Sequence, residues 1–165
     1  FLGDQRGESK LFQVPASGGR YSPLNSGGCQ SNAISFDGNA QAAVVLSSYP
    51  WAPGEIYYLD LMSTAKKQLT YCNEEYLERH PPAQMEKFDI QREGWQIECR
   101  MWFPPDFDSN HKYPVVLDIH GGPNGAFYDS FTPVQQILAT SGYLVLAVNP
   151  RGSSTYGKTF MMSLL

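Results

Sequence analysis

The chain has 165 residues, 42% hydrophobic and 13% aromatic, which is enough apolar material to bury a core at single-domain length. Its 12 Lys+Arg against 16 Asp+Glu leave a formal net charge of −4, which excludes the basic footprint of a nucleic-acid binder. No apolar run approaches the ~20 residues of a membrane span. Cys29, Cys72 and Cys99 are too few and too scattered for a disulfide framework or CxxC metal spacing. We therefore expect no metal, no cofactor and no membrane partner, and a reducing, cytoplasmic compartment. Phe1 is not an initiator Met, so the question of a signal peptide stays open.

Along the first 80 residues the pattern is of short strands separated by turns. Lys10–Val14 and Tyr21–Leu24 come first, then the turn dipeptide Asp37-Gly38 introduces the strand run Ala42–Ser47. Tyr49 to Gly54 turns the chain into Glu55–Leu61, and Met62 to Lys67 leads into Gln68-Leu69-Thr70. The segment Lys10–Val14 … Tyr21–Leu24 lies over Glu55–Leu59 … Lys66–Leu69 at a constant offset of 45 residues. A spacing of roughly 40 to 50 residues is the period of a four-stranded propeller blade. A generic β-meander accounts for the same pattern.

A boundary is expected around Tyr76 to Gln84, where Glu, Arg, His80, Pro81 and Pro82 cluster. Beyond it Phe88–Gln91 and Trp95–Phe103 predict a hairpin around Glu93-Gly94. In its second arm Trp95, Ile97, Cys99, Met101 and Phe103 alternate with Gln96, Glu98 and Arg100, the signature of a strand with one buried face. Val115–Ile119 and Leu144–Val148 are near-continuous apolar runs, as expected of parallel strands covered on both faces. Between them Thr132 can cap a helix, Pro133 suits its first position, and Val134, Ile137 and Leu138 line one face. Gly142 supplies the stop. The chain opens in a polar, turn-like stretch and closes in an apolar, helix-like one (Phe160 to Leu165), so we read it as a fragment.

The segment His120-Gly121-Gly122-Pro123-Asn124-Gly125 follows the first parallel strand, at the end where open α/β sheets place their sites. Glycine removes the Cβ, so a substrate oxygen can approach the main chain. Gly122, or failing it Gly121, can then aim a backbone N–H at a developing oxyanion. Equally, the glycines can serve only a tight turn while His120 fills space. A phosphate cradle is a third reading, but neither GxxxxGK[ST] nor GxGxxG occurs. The second strand ends in Asn149-Pro-Arg-Gly-Ser-Ser-Thr-Tyr-Gly157, where Arg151 can bind a carboxylate or brace neighbouring loops.

Taken together, Pro114-Val-Val-Leu-Asp-Ile-His-Gly-Gly-Pro123, a helix ending Ser141-Gly-Tyr143, and Leu144-Val-Leu-Ala-Val-Asn-Pro-Arg-Gly-Ser153 … Tyr156-Gly157 … Phe160 resemble the prolyl oligopeptidase family of serine peptidases. The likeness is strongest to its acylaminoacyl-peptidase and dipeptidyl-aminopeptidase-like branch. It implies residues 1–80 as C-terminal blade(s) of a β-propeller and 81–165 as the N-terminal part of an α/β-hydrolase domain, an incomplete chain. Asp37-Gly38, Pro53-Gly-Glu-Ile-Tyr57 and Lys67-Gln-Leu-Thr70 fit such blades. One departure is visible: the family's usual Gly before Tyr-Gly is here Thr155.

The resemblance implies acyl transfer from a Ser-His-Asp triad to cut short or N-blocked peptides, without a cofactor. Gly122, supported by Gly121, would carry the oxyanion role, with His120, Pro123 and Arg151 as loop support. None of the triad is assigned within the chain. No GxSxG occurs; Ser9, Ser26 and Ser153 have glycines nearby but lack the elbow pattern. His80, His111 and His120 lie upstream of the family's catalytic histidine. The chain alone is expected to be inactive. The competing readings are a carboxylesterase of the same hydrolase fold and a truncated, non-catalytic peptide-binding chain. The full-length protein would act on a peptide substrate, with homo-oligomerisation left open.

Overall fold

The structure, a computed structural model, describes residues 1–24, 27–122 and 124–164. It contains two compact units, Phe1–Arg79 with Tyr128–Ser130, and His80–Phe127 with Phe131–Leu165. Pro123, Ser26 and Leu165, named above, lie outside the described residues.

The first unit is built of antiparallel sheets. Leu2–Gln5 (β1), Glu8–Gln13 (β2) and Ser22–Pro23 (β3) form a three-stranded sheet in chain order. Gln30–Phe36 (β4), Ala42–Tyr49 (β5), Ala52–Asp60 (β6) and Lys66–Gln68 (β7) form a four-stranded meander, and a short helix, Glu74–Arg79 (α1), follows. The turn at Asp37 forms because its Oδ1 accepts the N–H groups of Gln41 and Ala42, at 2.8 and 3.0 Å. The 45-residue repeat is one of pairing as well as sequence. Phe12 faces Pro23 and Gln13 faces Ser22; each number raised by 45, Tyr57 faces Gln68 and Tyr58 faces Lys67.

Side chains of the meander alternate as a pleated sheet requires. Ala43, Val45 and Ser47 of β5 are buried, and Val44 and Leu46 are exposed. The buried side carries a polar chain. The Cys29 thiol lies 3.8 Å from the Ser31 hydroxyl, which lies 3.0 Å from that of Ser47. Lys66 then donates to Ser47 and to the Tyr49 hydroxyl, with its ammonium 4.4 Å from the Tyr57 ring centre.

The second unit is a mixed sheet. Gln84–Arg92 (β8) and Trp95–Phe103 (β9) form the expected hairpin, closed by Glu93 and Gly94 at φ 53° and 79°. Positive φ at both central residues is the type I′ geometry that matches strand twist. Val115–Asp118 (β10), a helix Pro133–Thr140 (α2) and Leu144–Asn149 (β11) make the β-α-β unit, and Lys158–Met161 (α3) follows. The strand order is β10-β11-β9-β8, with β10 and β11 parallel and the rest antiparallel.

Three sequence expectations change here. Strand β9 buries both faces, because α2 packs on one and Phe160 of α3 on the other. Trp102 packs with Ala83, Ala139, Val145 and Ala147, while Ile97 and Cys99 pack with Phe160. Glu98 and Arg100, expected on a solvated face, are buried as an ion pair with 2.8 Å between Oε1 and a guanidinium nitrogen. Strand β11 is enclosed, but Val115 and Leu117 of β10 are 59% and 55% exposed, as befits the outer strand.

Helix α2 is also turned relative to its apolar stripe. Val134 and Ile137 are exposed, and Gln135, Gln136 and Ala139 are buried. Hydrogen bonds decide the orientation: Gln136 Oε1 accepts the Ala83 N–H at 2.7 Å, and Gln135 Nε2 donates to Asp118 at 2.6 Å. A buried polar group left unpaired costs about 1–3 kcal/mol, comparable with the ~1.5–3 kcal/mol gained by burying one aliphatic side chain, and Leu138 of the stripe still packs against the core. Thr132 is the N-cap by position, although its side chain makes no capping bond. Gly142 ends the helix at φ 94°.

Candidate active site

The functional candidates lie at the carboxyl ends of β10 and β11, adjacent parallel strands. The chain leaves β10 through Ile119 into His120, and Gly121 and Gly122 are exposed. His120 makes two contacts that fix its ring. Nδ1 is 2.9 Å from the Gly121 carbonyl oxygen, and Nε2 is 2.9 Å from the Ser153 hydroxyl. A carbonyl oxygen can only accept, so Nδ1 carries the proton. In the neutral ring Nε2 therefore accepts the hydroxyl proton of Ser153. The ring also packs edge-on against Phe127, with centroids 5.3 Å apart.

Gly125 closes the loop. A Cβ there would meet the Gly121 carbonyl oxygen at 2.1 Å and His120 Nδ1 at 3.0 Å, so only glycine lets the chain fold back this tightly.

The loop after β11 is laced to this one. Asn124 donates from its amide to the Gly152 carbonyl at 2.9 Å, and the Ser154 N–H reaches the Gly125 carbonyl at 3.2 Å. Asn149, the last residue of β11, accepts the Phe127 N–H at 2.8 Å and donates to the Phe127 carbonyl at 3.0 Å. It also donates to the Tyr156 hydroxyl at 2.6 Å, and Tyr156 in turn donates to Glu98 at 2.7 Å. Burial first, and then the bond to Glu98, push the Tyr156 phenol up to about 12. The phenol thus stays a donor across the physiological range.

Thr155 explains the departure noted in the sequence. It sits at φ 74°, in the left-handed region that a β-branched residue enters only under strain. Arg151 reaches the β8–β9 turn, pairing with Glu93 at 3.2 Å, both side chains being substantially exposed. Its placement fits a brace to that hairpin. A surface pair of this kind contributes ~0–1 kcal/mol.

Ser153 and His120 form a hydrogen-bonded serine–histidine pair, which the sequence reading did not join. Ser153 is wholly buried, and a backbone carbonyl occupies the second ring nitrogen where a triad carboxylate would act. That arrangement holds a loop. Ser153, Asn124, Gly125 and Asn149 went unassigned in the sequence because hydrogen bonds between two loops leave no periodic signal. Cys99 is a buried thiol whose pKa burial raises, which suits packing more than nucleophilic attack. Among the described residues no group of three or more His, Cys, Asp and Glu side chains could hold a metal ion. No described helix is long and apolar enough to cross a membrane.

No family model matches the chain. Its homologues are peptidases, that is, hydrolases of peptide bonds. The chain is 28% identical over 161 residues to the uncharacterized peptidase YuxL of Bacillus subtilis, covering 97% of this chain and 24% of that protein. It is 30% identical over 162 residues to a probable dipeptidyl-peptidase 5 of Aspergillus clavatus, covering 94% of this chain and 22% of the relative. The chain thus spans about a quarter of the length of the curated relatives it matches. In fold it is similar to an acylaminoacyl peptidase of Pyrococcus horikoshii, with a TM-score of 0.87 at 23% identity over 100% of this chain and 25% of that one.

Proposed function

We propose that these residues belong to a serine peptidase of the prolyl oligopeptidase family, which hydrolyses short or N-blocked peptides by acyl transfer. In this reading residues 1–80 are propeller blade(s) and 81–165 open the α/β-hydrolase domain. The Ser, Asp and His of the triad come from outside the 165 residues. Gly122, with Gly121 beside it, donates a backbone N–H to the tetrahedral oxyanion. Losing one such donor typically costs ~3 kcal/mol of transition-state stabilisation.

The observation that carries the proposal is the fixed glycine loop at the carboxyl end of β10, tied to the loop after β11 by His120, Asn124, Gly125 and Asn149. A donor is catalytic only when held in place before reaction, and these bonds hold its loop. The peptidase relatives and the fold likeness support the same reading. The first unit, with its repeat in register, supports a propeller neighbour over a stand-alone esterase.

The test is fluorophosphonate labelling of the full-length gene product, followed by mapping of the modified serine. We expect one labelled serine, outside residues 1–165. Labelling of Ser153 would make the Ser153–His120 pair reactive and overturn the proposal.

A further inference from the structure

We infer that Ser153, acting through His120, is a positioning residue that aims the Gly122 N–H into the active site. The inference rests on the proposed peptidase reading.

The Gly121 carbonyl and the Gly122 N–H belong to the same peptide unit. That unit is planar and trans, so the two groups point in opposite directions. Whatever fixes the carbonyl therefore fixes the N–H. The His120 Nδ1 proton fixes it from one side, at 2.9 Å. Gly125 receives it on the other: the carbonyl oxygen lies 2.1 Å from where a Cβ of residue 125 would be. The N–H of Gly122 consequently points away from Gly125, and a Cβ on Gly121 would meet no heavy atom within 4 Å.

The His120 ring would not hold this orientation alone. A histidine rotates about two side-chain bonds, and a contact to the adjacent residue's carbonyl closes only a small ring. Ser153 supplies the second anchor, 33 residues away on the loop after β11, with its hydroxyl 2.9 Å from Nε2. Ser153 is itself wholly buried, with its N–H bonded to the Pro150 carbonyl at 3.1 Å. In the neutral ring the order is Ser153 O–H to His120 Nε2, then His120 Nδ1–H to Gly121 O, and both ring nitrogens are satisfied. The buried serine thus transmits the rigidity of the second loop to a single backbone donor in the first. Neither side chain need touch substrate.

The test uses the full-length protein with Ser153→Ala, His120→Ala, His120→Asn and Gly125→Ala. Steady-state kinetics on a peptide anilide are paired with the affinities of a peptide aldehyde and of the product peptide. The aldehyde forms a tetrahedral adduct that needs the donor, and the product does not. For Ser153→Ala we expect kcat to fall about 10-fold, and for His120→Ala and Gly125→Ala about 100-fold, with KM within about 2-fold of wild type. Aldehyde affinity should fall in parallel and product affinity should hold. His120→Asn, which keeps a donor near the Nδ1 position but loses the Ser153 contact, should recover activity only to about the level of Ser153→Ala.

Variants with wild-type kcat would overturn the inference while leaving the peptidase reading intact. So would equal losses of aldehyde and product affinity, since a damaged site binds neither. A wild-type protein without peptidase activity would remove the reading and this inference with it. If His120→Ala does not fold, Ser153→Ala, which deletes one oxygen, decides the matter by the same readouts.

Discussion

The β4–β7 meander and the β8–β11 sheet both bury polar side chains, but they use them differently. In the meander Ser31, Ser47, Tyr49 and Lys66 bond to one another on one face of a single sheet, Lys66 of β7 reaching past β6 to β5. In the mixed sheet Glu98, Tyr156 and Asn149 form a chain that runs from the middle of β9 out to the loops beyond β10 and β11. Buried polar groups must be satisfied in either case. In the second their bonds hold the backbone of the loops beyond β10 and β11, and that backbone carries the proposed chemistry.

The largest effect that would sharpen this contrast is expected at Arg100. Arg100→Met leaves Glu98 buried without its cation, and breaking such a pair costs about 3–5 kcal/mol. Denaturant unfolding of the full-length protein should show that loss in the transition of the second unit. The same change at Lys66 leaves hydroxyls and aromatic rings behind, with no carboxylate among the partners named, and should cost about 1 kcal/mol or less. Equal costs at the two sites would break the comparison.

Asn149→Leu comes next. It removes three hydrogen bonds, two of them to the Phe127 backbone, and should cost about 2–3 kcal/mol by the same denaturant measurement. Turnover should fall with it, because the loop after β10 loses an anchor; full activity at lowered stability would make Asn149 purely architectural. Thr155→Gly works in the opposite direction. Relief of the left-handed strain at φ 74° should raise stability by about 1 kcal/mol, read as a higher unfolding midpoint.

The smallest expected effect is in the pH dependence of the meander. Burial lowers the Lys66 ammonium below its ordinary 10.5, so the unfolded chain holds this proton more tightly. Stability therefore rises with pH through the window between the lowered value and 10.5. Tyr49 and Tyr57 act in the other sense. Their phenols, pushed up to about 12 chiefly by burial, ionise first in the unfolded chain, so stability falls as pH climbs from 10 towards 12. Lys66→Met should flatten the rise and leave the fall, measured by thermal unfolding across that range. A rise that persists in the variant would show that another group titrates.

The legible parts of the sequence were those written in period and punctuation. A strand run after the Asp37-Gly38 turn placed β5, apolar alternation placed β9, Glu93-Gly94 placed a hairpin turn, and Gly142 placed a helix end. The illegible parts were those set by partners. Gln135 and Gln136 turn α2 against its apolar stripe because they find hydrogen bonds at Asp118 and Ala83. Glu98 and Arg100 read as a solvated face until β11 and its following loop cover them. At the site, the glycines of residues 121–125 announced close backbone approach. Gly125 was named only as the end of that stretch, and the carbonyl that requires it became visible in three dimensions. Ser153 carried no signal beyond adjacent glycine, since its role depends on a histidine 33 residues earlier in the chain.

The most direct measurement is the hydrolysis of peptide anilides and matched acyl esters by the full-length gene product, with and without a fluorophosphonate. The account predicts anilide turnover that the reagent abolishes. Strong ester turnover with no cleavage of any peptide anilide would contradict it, as would anilide turnover that survives complete labelling.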